Sequence, residues 1–538
     1  MAKVIKYGDD AKKALAIGIK TVAKCVASTL GAKGRFVALD RDYTTPLITN
    51  DGITIAKDIS LPDKFEDMGC KIVREASSKT NTDAGDGTTT AVVLTDSMTE
   101  IGIRAISKGH NPIGVKKGVE LATQMAVNYI KKLATPIKGA EDIAKVATIS
   151  SRDAEYGKII SQIIGKLGND AVISVENSNT GETTFDVTEG LQFENGYITP
   201  YMITDPDKMI AEYNSTYVLI TDQKITNIQD ILPILEEISR DGNNLLIISD
   251  DVSNDILGAL INNKLRGSLN VVCVKPPKFG EMRIDWLEDI AALTGGTFIN
   301  SKLGMKLKDI TFNQLGLAKK VKVDQNSTTI IGGVSDSSII KERIDFIKTQ
   351  IDLCEIDYDR EKLQERYAKL TGGVAVIKVG ASTEIELKDK KLRLEDALSA
   401  TKAAIDEGVV PGGGIALLET HNYLSTYLLN NRGRMSEDEA AGFALVTDSL
   451  EAPFCTIVNN AGFDSDEVYN ELSARQLGDK KLIGFDVVKN EYVDMLESGI
   501  IDPAKVTRSA LQNAASVAGM VLTTEVLVAE EDKKKDNQ

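Results

Sequence analysis

Gly85-Asp86-Gly87-Thr88-Thr89-Thr90 lies between two stretches of helical pattern, 63–79 and 90–108. Two glycines let a backbone come close to a ligand. Three threonines at a helix start add hydroxyls to the free N–H groups of the first turn, which together cradle an anionic phosphate. Asp86 puts a carboxylate where a phosphate-bound Mg²⁺ needs an oxygen ligand. A lone Gly-Asp-Gly would read as a polar helix cap; the three threonines after it tip the balance toward a nucleotide site. No Gly-x-x-x-x-Gly-Lys-Ser/Thr run occurs, so the site is not a standard P-loop.

The rest of the chain narrows the function classes. Its 538 residues exceed one core, so two to four domains are expected. A net charge of −16 argues against a nucleic-acid binder, which needs a basic face. No run of 18 apolar residues occurs, so no membrane span is expected. The first residues, Met1-Ala2-Lys3-Val4-Ile5-Lys6-Tyr7-Gly8, lack a secretory core and an Arg-rich transit pattern, and a cytoplasmic protein is expected. Five scattered cysteines make no C-x-x-C, so neither a disulfide framework nor a zinc site is expected. With only His110 and His421 present, acid–base chemistry falls to carboxylates.

The first third is helical in pattern, beginning with 9–28. The loop Thr29-Leu30-Gly31-Ala32-Lys33-Gly34-Arg35 follows, then two short strand-like runs, 37–40 and 46–49. Asn50-Asp51-Gly52 reads as a tight turn. In the middle, apolar runs at 218–220, 245–248 and 271–274 alternate with helical patterns near 227–239, 254–266 and 285–294, which predicts a compact α/β domain with some parallel strands. Glu189-Gly190 and Gly372-Gly373 bracket it as candidate hinges. The last third is helical again, with a long run over 394–407 and a second glycine-rich loop, Pro411-Gly412-Gly413-Gly414. Two phosphate-capable loops this far apart suit a discontinuous domain with the α/β unit inserted. The final residues are charged and read as disordered.

These motifs, in this order, resemble a group I chaperonin of the GroEL type over roughly 3–525. The most specific parts are Asp86-Gly87-Thr88-Thr89-Thr90, the run from Tyr358-Asp359-Arg360 to Arg366, the run from Gly372-Gly373-Val374 to Gly380, and Asp502-Pro503-Ala504 through Gln512. The resemblance implies a multidomain α+β/α/β fold. Its parts are a mostly helical, discontinuous equatorial ATP-binding domain (1–132 and 408–525), a small intermediate domain (133–189 and 374–407) and an inserted α/β apical domain (190–373), with a disordered tail at 526–538. It also implies seven-membered rings, usually two stacked, and a GroES-type co-chaperonin lid. ATP and Mg²⁺ would be the cofactors, with K⁺ a further candidate, and non-native proteins the clients.

Carried over residue by residue, the resemblance sets Thr29, Leu30, Gly31 and Ala32 along the phosphates, with Ala32 where a proline is usual. Asp86 is the Mg²⁺ ligand, and Gly87, Thr88, Thr89 and Thr90 are the phosphate cradle. Gly413 lets the backbone approach the nucleotide, Asp486, Val487 and Val488 meet the base, and Asp502 accepts ribose hydroxyls. Asn is common in the family where Asp486 stands. Asp396 orients the attacking water and Asp51 is a second acidic residue near the phosphates. Read alone, Asp396 is a solvated helix charge, Asp51 a turn residue, and Asp502 a helix cap before Pro503.

The helical patterns at 227–239 and 254–266 carry more apolar residues than one buried stripe needs. Read alone they are two well-buried helices. The resemblance puts Leu232, Leu235, Leu257 and Ile261 on an exposed client-binding wall beside Tyr197, Tyr201 and Met202, with Asn262 where an aliphatic residue is usual. A rival class, a small-molecule ATP-dependent kinase or ligase, requires a second polar pocket and no exposed apolar helices. A ring scaffold without hydrolysis conflicts with intact Asp86 and Asp396.

Overall fold

A computed structural model describes residues 3–40, 46–137, 139–151, 153–169, 171–178, 181–206, 208–354, 357–476 and 482–530. The chain forms two compact units, Met1–Gly165 with Thr383–Gln538, and Lys166–Ser382.

The first unit is helical, and glycines let its helices cross closely. Helix Gly8–Ala27 meets helix Lys64–Ala84 at Gly18 and Gly69. A Cβ on Gly18 would lie 1.9 Å from the Glu66 carbonyl oxygen, and one on Gly69 2.2 Å from that of Leu15. Helix Pro112–Leu133 crosses Glu437–Ser449 in the same reciprocal way, at Gly118 and Gly442. Backbone-to-backbone contact of this kind leaves no room for any side chain at the crossing. Around the crossings lie two buried clusters, one with Leu15, Ile19, Val22, Val73 and Val92, the other with Leu94, Met98, Phe443, Leu511 and Ala514.

The stretch Glu437–Asn460 is long and apolar enough, by length and composition, to cross a membrane. It folds as two helices, Glu437–Ser449 and Ala452–Asn460, the second opened by Pro453. Phe443, Leu445, Val446, Phe454 and Val458 are buried in the core, which accounts for the composition.

Strands Lys3–Tyr7 and Val526–Glu530 pair antiparallel in the register Lys3↔Glu530 to Tyr7↔Val526. The disordered tail expected from 526 is therefore corrected: 526–530 alternate Val526, Val528 outward with Leu527, Ala529 inward and complete a sheet. Residues 531–538 lie outside the described residues. Asn50-Asp51-Gly52 is also corrected. It starts helix Gly52–Asp58, because the Asp51 carboxylate accepts hydrogen bonds from Ile53 N (3.2 Å) and Thr54 N (3.1 Å). An Asp before a periodic apolar run caps a helix as readily as it makes a turn.

The second unit holds the α/β arrangement. The runs at 218–220, 245–248 and 271–274 lie in parallel strands Ala211–Thr221, Asn244–Ile248 and Asn270–Val274. Strands Gly316–Val323, Ser327–Gly333 and Gly190–Glu194 extend the sheet antiparallel, and Phe298–Ile299 lies beside Ala211–Thr221. The 227–239 pattern is split: Asn227 caps a short turn at Ile228–Asp230, and Pro233 sets the start of helix Leu232–Arg240. Helices Asn254–Leu265 and Gly280–Thr294 follow. A separate sheet orders Val172–Asn177, Val374–Val379 and Thr184–Thr188, drawing on both flanks of the inserted segment.

Candidate functional site

Helix Lys64–Ala84 ends at Gly85 with φ 70°, and Gly87, φ 81°, opens helix Thr88–Ser107. Both sit in the left-handed region that favours glycine. Gly87 has no side chain to cap the new helix, so its first turn, which carries Thr88, Thr89 and Thr90, is left without a side-chain cap and suits an anion. The Asp86 carboxylate accepts from Gly87 N at 2.6 Å, which fixes it at the mouth of the loop. Gly52 presses against the same threonines. A Cβ there would lie 2.4 Å from Thr89 Oγ1 and 3.1 Å from Thr88 Oγ1. Asp51 thus adjoins the cradle, but both of its carboxylate oxygens serve the start of helix Gly52–Asp58.

Asp502 comes from the other end of the chain. It lies in strand Ile501–Pro503, opposite Val410 of strand Val409–Pro411. It is not a helix cap, since Pro503 occupies the cap position of helix Ala504–Thr523. A Cβ on Gly412 would lie 3.2 Å from Asp502 Oδ1, so the second glycine loop borders this carboxylate. Burial, then repulsion from Asp86, pushes the Asp502 carboxyl up to about 7. Two converging carboxylates suit a cation. Among the described residues no cluster of three or more His, Cys, Asp or Glu could hold a metal alone. A cation here would take its other ligands from phosphate and water, as Mg²⁺ does.

Helix Glu384–Glu407 rests on the Gly85–Thr90 loop. A Cβ on Gly85 would fall 2.3 Å from Ser399 Cβ, and Ala403 is buried with Ala84 and Val506. Asp396 precedes Ser399 by three residues, so it shares that face and lies about one turn from Gly85. The sequence reading did not single out Ser399; its i,i+3 spacing from Asp396 was the available signal.

The Thr29–Ala32 loop is held by helix Ala452–Asn460. Asn460 Nδ2 donates to Ala27 O (2.8 Å) and Leu30 O (2.9 Å), and Gly31, φ 89°, lies against Ile457. The Thr29 hydroxyl is buried and donates to Val26 O at 2.8 Å, while Ala32 is exposed. In the stretch expected to meet the base, Asp486 is buried and accepts from Val488 N (2.9 Å) and Lys489 N (3.2 Å), shaping the turn between strands Ile483–Asp486 and Glu491–Asp494. An Asn oxygen could accept the same bonds. Val487 is buried and Val488 exposed. Met495 of this hairpin's cluster abuts Gly413, so the glycine loop and the base stretch meet.

The expected client wall is only partly exposed. Tyr201 is 67 % exposed and Asn262 is exposed; Leu232, Leu257 and Ile261 are half-buried. Tyr197, Met202 and Leu235 are corrected from wall to core. Leu235 is 7 % exposed, among Ile231, Ile234 and Ile238, and Met202 Sδ accepts from Cys273 N at 3.2 Å. Leu265, one of the apolar residues of the 254–266 pattern but not placed on the expected wall, is 69 % exposed at the end of helix Asn254–Leu265.

Across solved structures, the chain resembles the crystal structure of the chaperonin gp146 from bacteriophage EL 2 (Pseudomonas aeruginosa), determined in the presence of ATP-BeFx. The match has a TM-score of 0.66 at 18 % identity, covers 98 % of this chain and 100 % of that one, and shows a shared fold. The model of the TCP-1/cpn60 chaperonin family matches residues 22–532. With a match over nearly its whole length, the chain belongs to the TCP-1/cpn60 chaperonin family.

Proposed function

We propose that this protein is an ATP-driven folding chaperone of the group I type. The observation that carries the reading is the convergence of Asp86 and Asp502, from opposite ends of the chain, at the uncapped start of helix Thr88–Ser107, with Asp396 a turn away on a helix seated against Gly85. The Thr88–Thr90 amides and hydroxyls hold phosphate oxygens. Asp86 holds Mg²⁺, which neutralises phosphate charge when bound. Asp502 accepts ribose hydroxyls, and Gly413 with the 486–488 turn receives the base. Asp396 orients water toward the terminal phosphate; positioning and charge stabilisation supply most of the rate in such reactions.

The inserted unit supplies the capture surface. Tyr201 and Leu265, with half-buried Leu257 and Ile261, offer non-directional apolar contact to non-native chains and to a GroES-type lid. The equatorial, intermediate and apical division, assembly in seven-membered rings, stacking of two rings and a K⁺ requirement complete the reading. The flanking sheet built from 172–177, 184–188 and 374–379 supports the intermediate domain.

Purified protein should hydrolyse ATP in a Mg²⁺-dependent manner and suppress aggregation of a denatured test protein. Native mass measurement should show multiples of seven chains. A protein that neither hydrolyses ATP nor suppresses aggregation would overturn the proposal, and phosphoryl transfer to a small acceptor would favour a kinase.

A further inference from the structure

The nine-residue helix Ala452–Asn460 adjoins three of the stretches assigned to the nucleotide: the second glycine loop, the Thr29–Ala32 loop and the 486–488 hairpin. At its N-terminal end, the backbone and Cβ of Phe454 sit 2.9 Å from where a Gly414 Cβ would be, so the helix is pressed onto the second glycine loop. In its middle, Ile457 lies 3.0 Å from where a Gly31 Cβ would be and packs in the same cluster as Val487 and Met495 of the base-contacting hairpin. At its C-terminal end, Asn460 spends both hydrogens of one amide on the two carbonyls, Ala27 O and Leu30 O, where the Gly8–Ala27 helix gives way to the loop. Ala27 O at the helix terminus also accepts from Leu30 N at 3.1 Å, so the Asn460 amide adds to a turn whose carbonyls lie where helical partners run out.

We infer that this helix is a brace that fixes the spacing between the two nucleotide loops, and that Asn460 is the positioning residue that sets ATP affinity through the Thr29–Ala32 loop. Asn460 touches no substrate; it acts by holding Leu30 and Gly31. The inference rests on the reading that this loop lies along the phosphates. Its consequence is a split in the kinetics. Loosening a ground-state contact loop raises KM and leaves kcat nearly unchanged, because the water-orienting group is on a different helix.

The test uses the full-length protein. Asn460→Asp keeps the side-chain shape but removes both N–H donors. Asn460→Ala removes them without adding charge and serves if the first variant does not fold. Asn459→Asp places the same charge one residue away on the exposed side of the helix and should behave as wild type. For Asn460 variants, KM for Mg²⁺-ATP should rise roughly tenfold, as the loss of two neutral hydrogen bonds implies, with kcat within about twofold. Without nucleotide, amide exchange at Gly34 and Arg35, which donate to Gly31 O and Ser28 O, should accelerate. Unchanged exchange would overturn the brace. Gly31→Ala, strained at positive φ and crowded by Ile457, separates the two failures. If Gly31→Ala raises KM and the Asn460 variants do not, the loop assignment stands and the brace fails. If neither moves KM, the loop assignment itself is wrong and the brace falls with it.

Discussion

The nucleotide cradle and the helices of the inserted unit reveal themselves in opposite ways. In the cradle, function is carried by backbone shape: left-handed glycines, an uncapped helix start, and contacts so close that a methyl group would collide. Such constraints admit few residue types, so they leave motifs. On helices Leu232–Arg240 and Asn254–Leu265 the proposed capture role rests on exposure, and Leu, Ile and Val serve a core and a capture surface equally well. A motif therefore located Asp86, while composition alone could not separate buried Leu235 from exposed Leu265.

Substitutions at these positions can break or sharpen that contrast. The largest effect is expected at Leu235. Leu235→Ser should destabilise the inserted unit by about 3–5 kcal/mol, combining a cavity with a buried hydroxyl, whereas Tyr201→Ser should leave its thermal midpoint in place and weaken client capture. Equal midpoints for the two variants would erase the distinction between core and surface. In the cradle, Asp86→Ala should weaken Mg²⁺-ATP binding by roughly 10²-fold or more, since losing outer-shell support alone costs 10- to 100-fold. Calorimetry showing wild-type affinity would remove Asp86 from the metal. Asp396→Ala should slow single-turnover hydrolysis by about 10²-fold with binding nearly intact; a loss of binding instead would mean that Asp396 supports the loop rather than the water.

The smallest effect concerns pH. Burial pushes the Asp96 carboxyl of helix Thr88–Ser107 up to about 6, against the pull of Lys20 and with a push from Glu100. Its folded value lies above the unfolded one, so the native state keeps a proton that the unfolded chain releases. Its contribution to stability falls as pH rises from about 4 to 6 and stays low above that. Asp96→Asn should raise the melting midpoint at pH 7.5 and have little effect at pH 4. A midpoint shift of the same size at both values would disconnect Asp96 from this dependence.

Local signals were legible and long-range ones were not. Helices over 9–28, 63–79 and 90–108 appear as Gly8–Ala27, Lys64–Ala84 and Thr88–Ser107, because apolar spacing and cap residues are local physics. The three parallel strands were legible as apolar runs. The strand Val526–Glu530 was not, because its partner lies at the opposite end of the chain and the charged residues after it dominate the composition. Asp51 reads as a turn residue and is a helix cap, because an Asp before a Gly suits either and only the helical residues after it decide. Asn460 and Ser399 carry no motif at all. Each matters through a neighbour brought close only by folding.

The pairing of Lys3–Tyr7 with Val526–Glu530 also dictates an order of events during synthesis. A ribosome adding 5–20 residues per second leaves the first strand without its partner for roughly half a minute to two minutes. Asp86 likewise waits for Asp502. The inserted unit, continuous in sequence, has all of its strands long before then. On the proposed reading, the newborn chain would carry a finished capture surface while its nucleotide cradle is still half made, and ATP turnover would have to wait for Asp502.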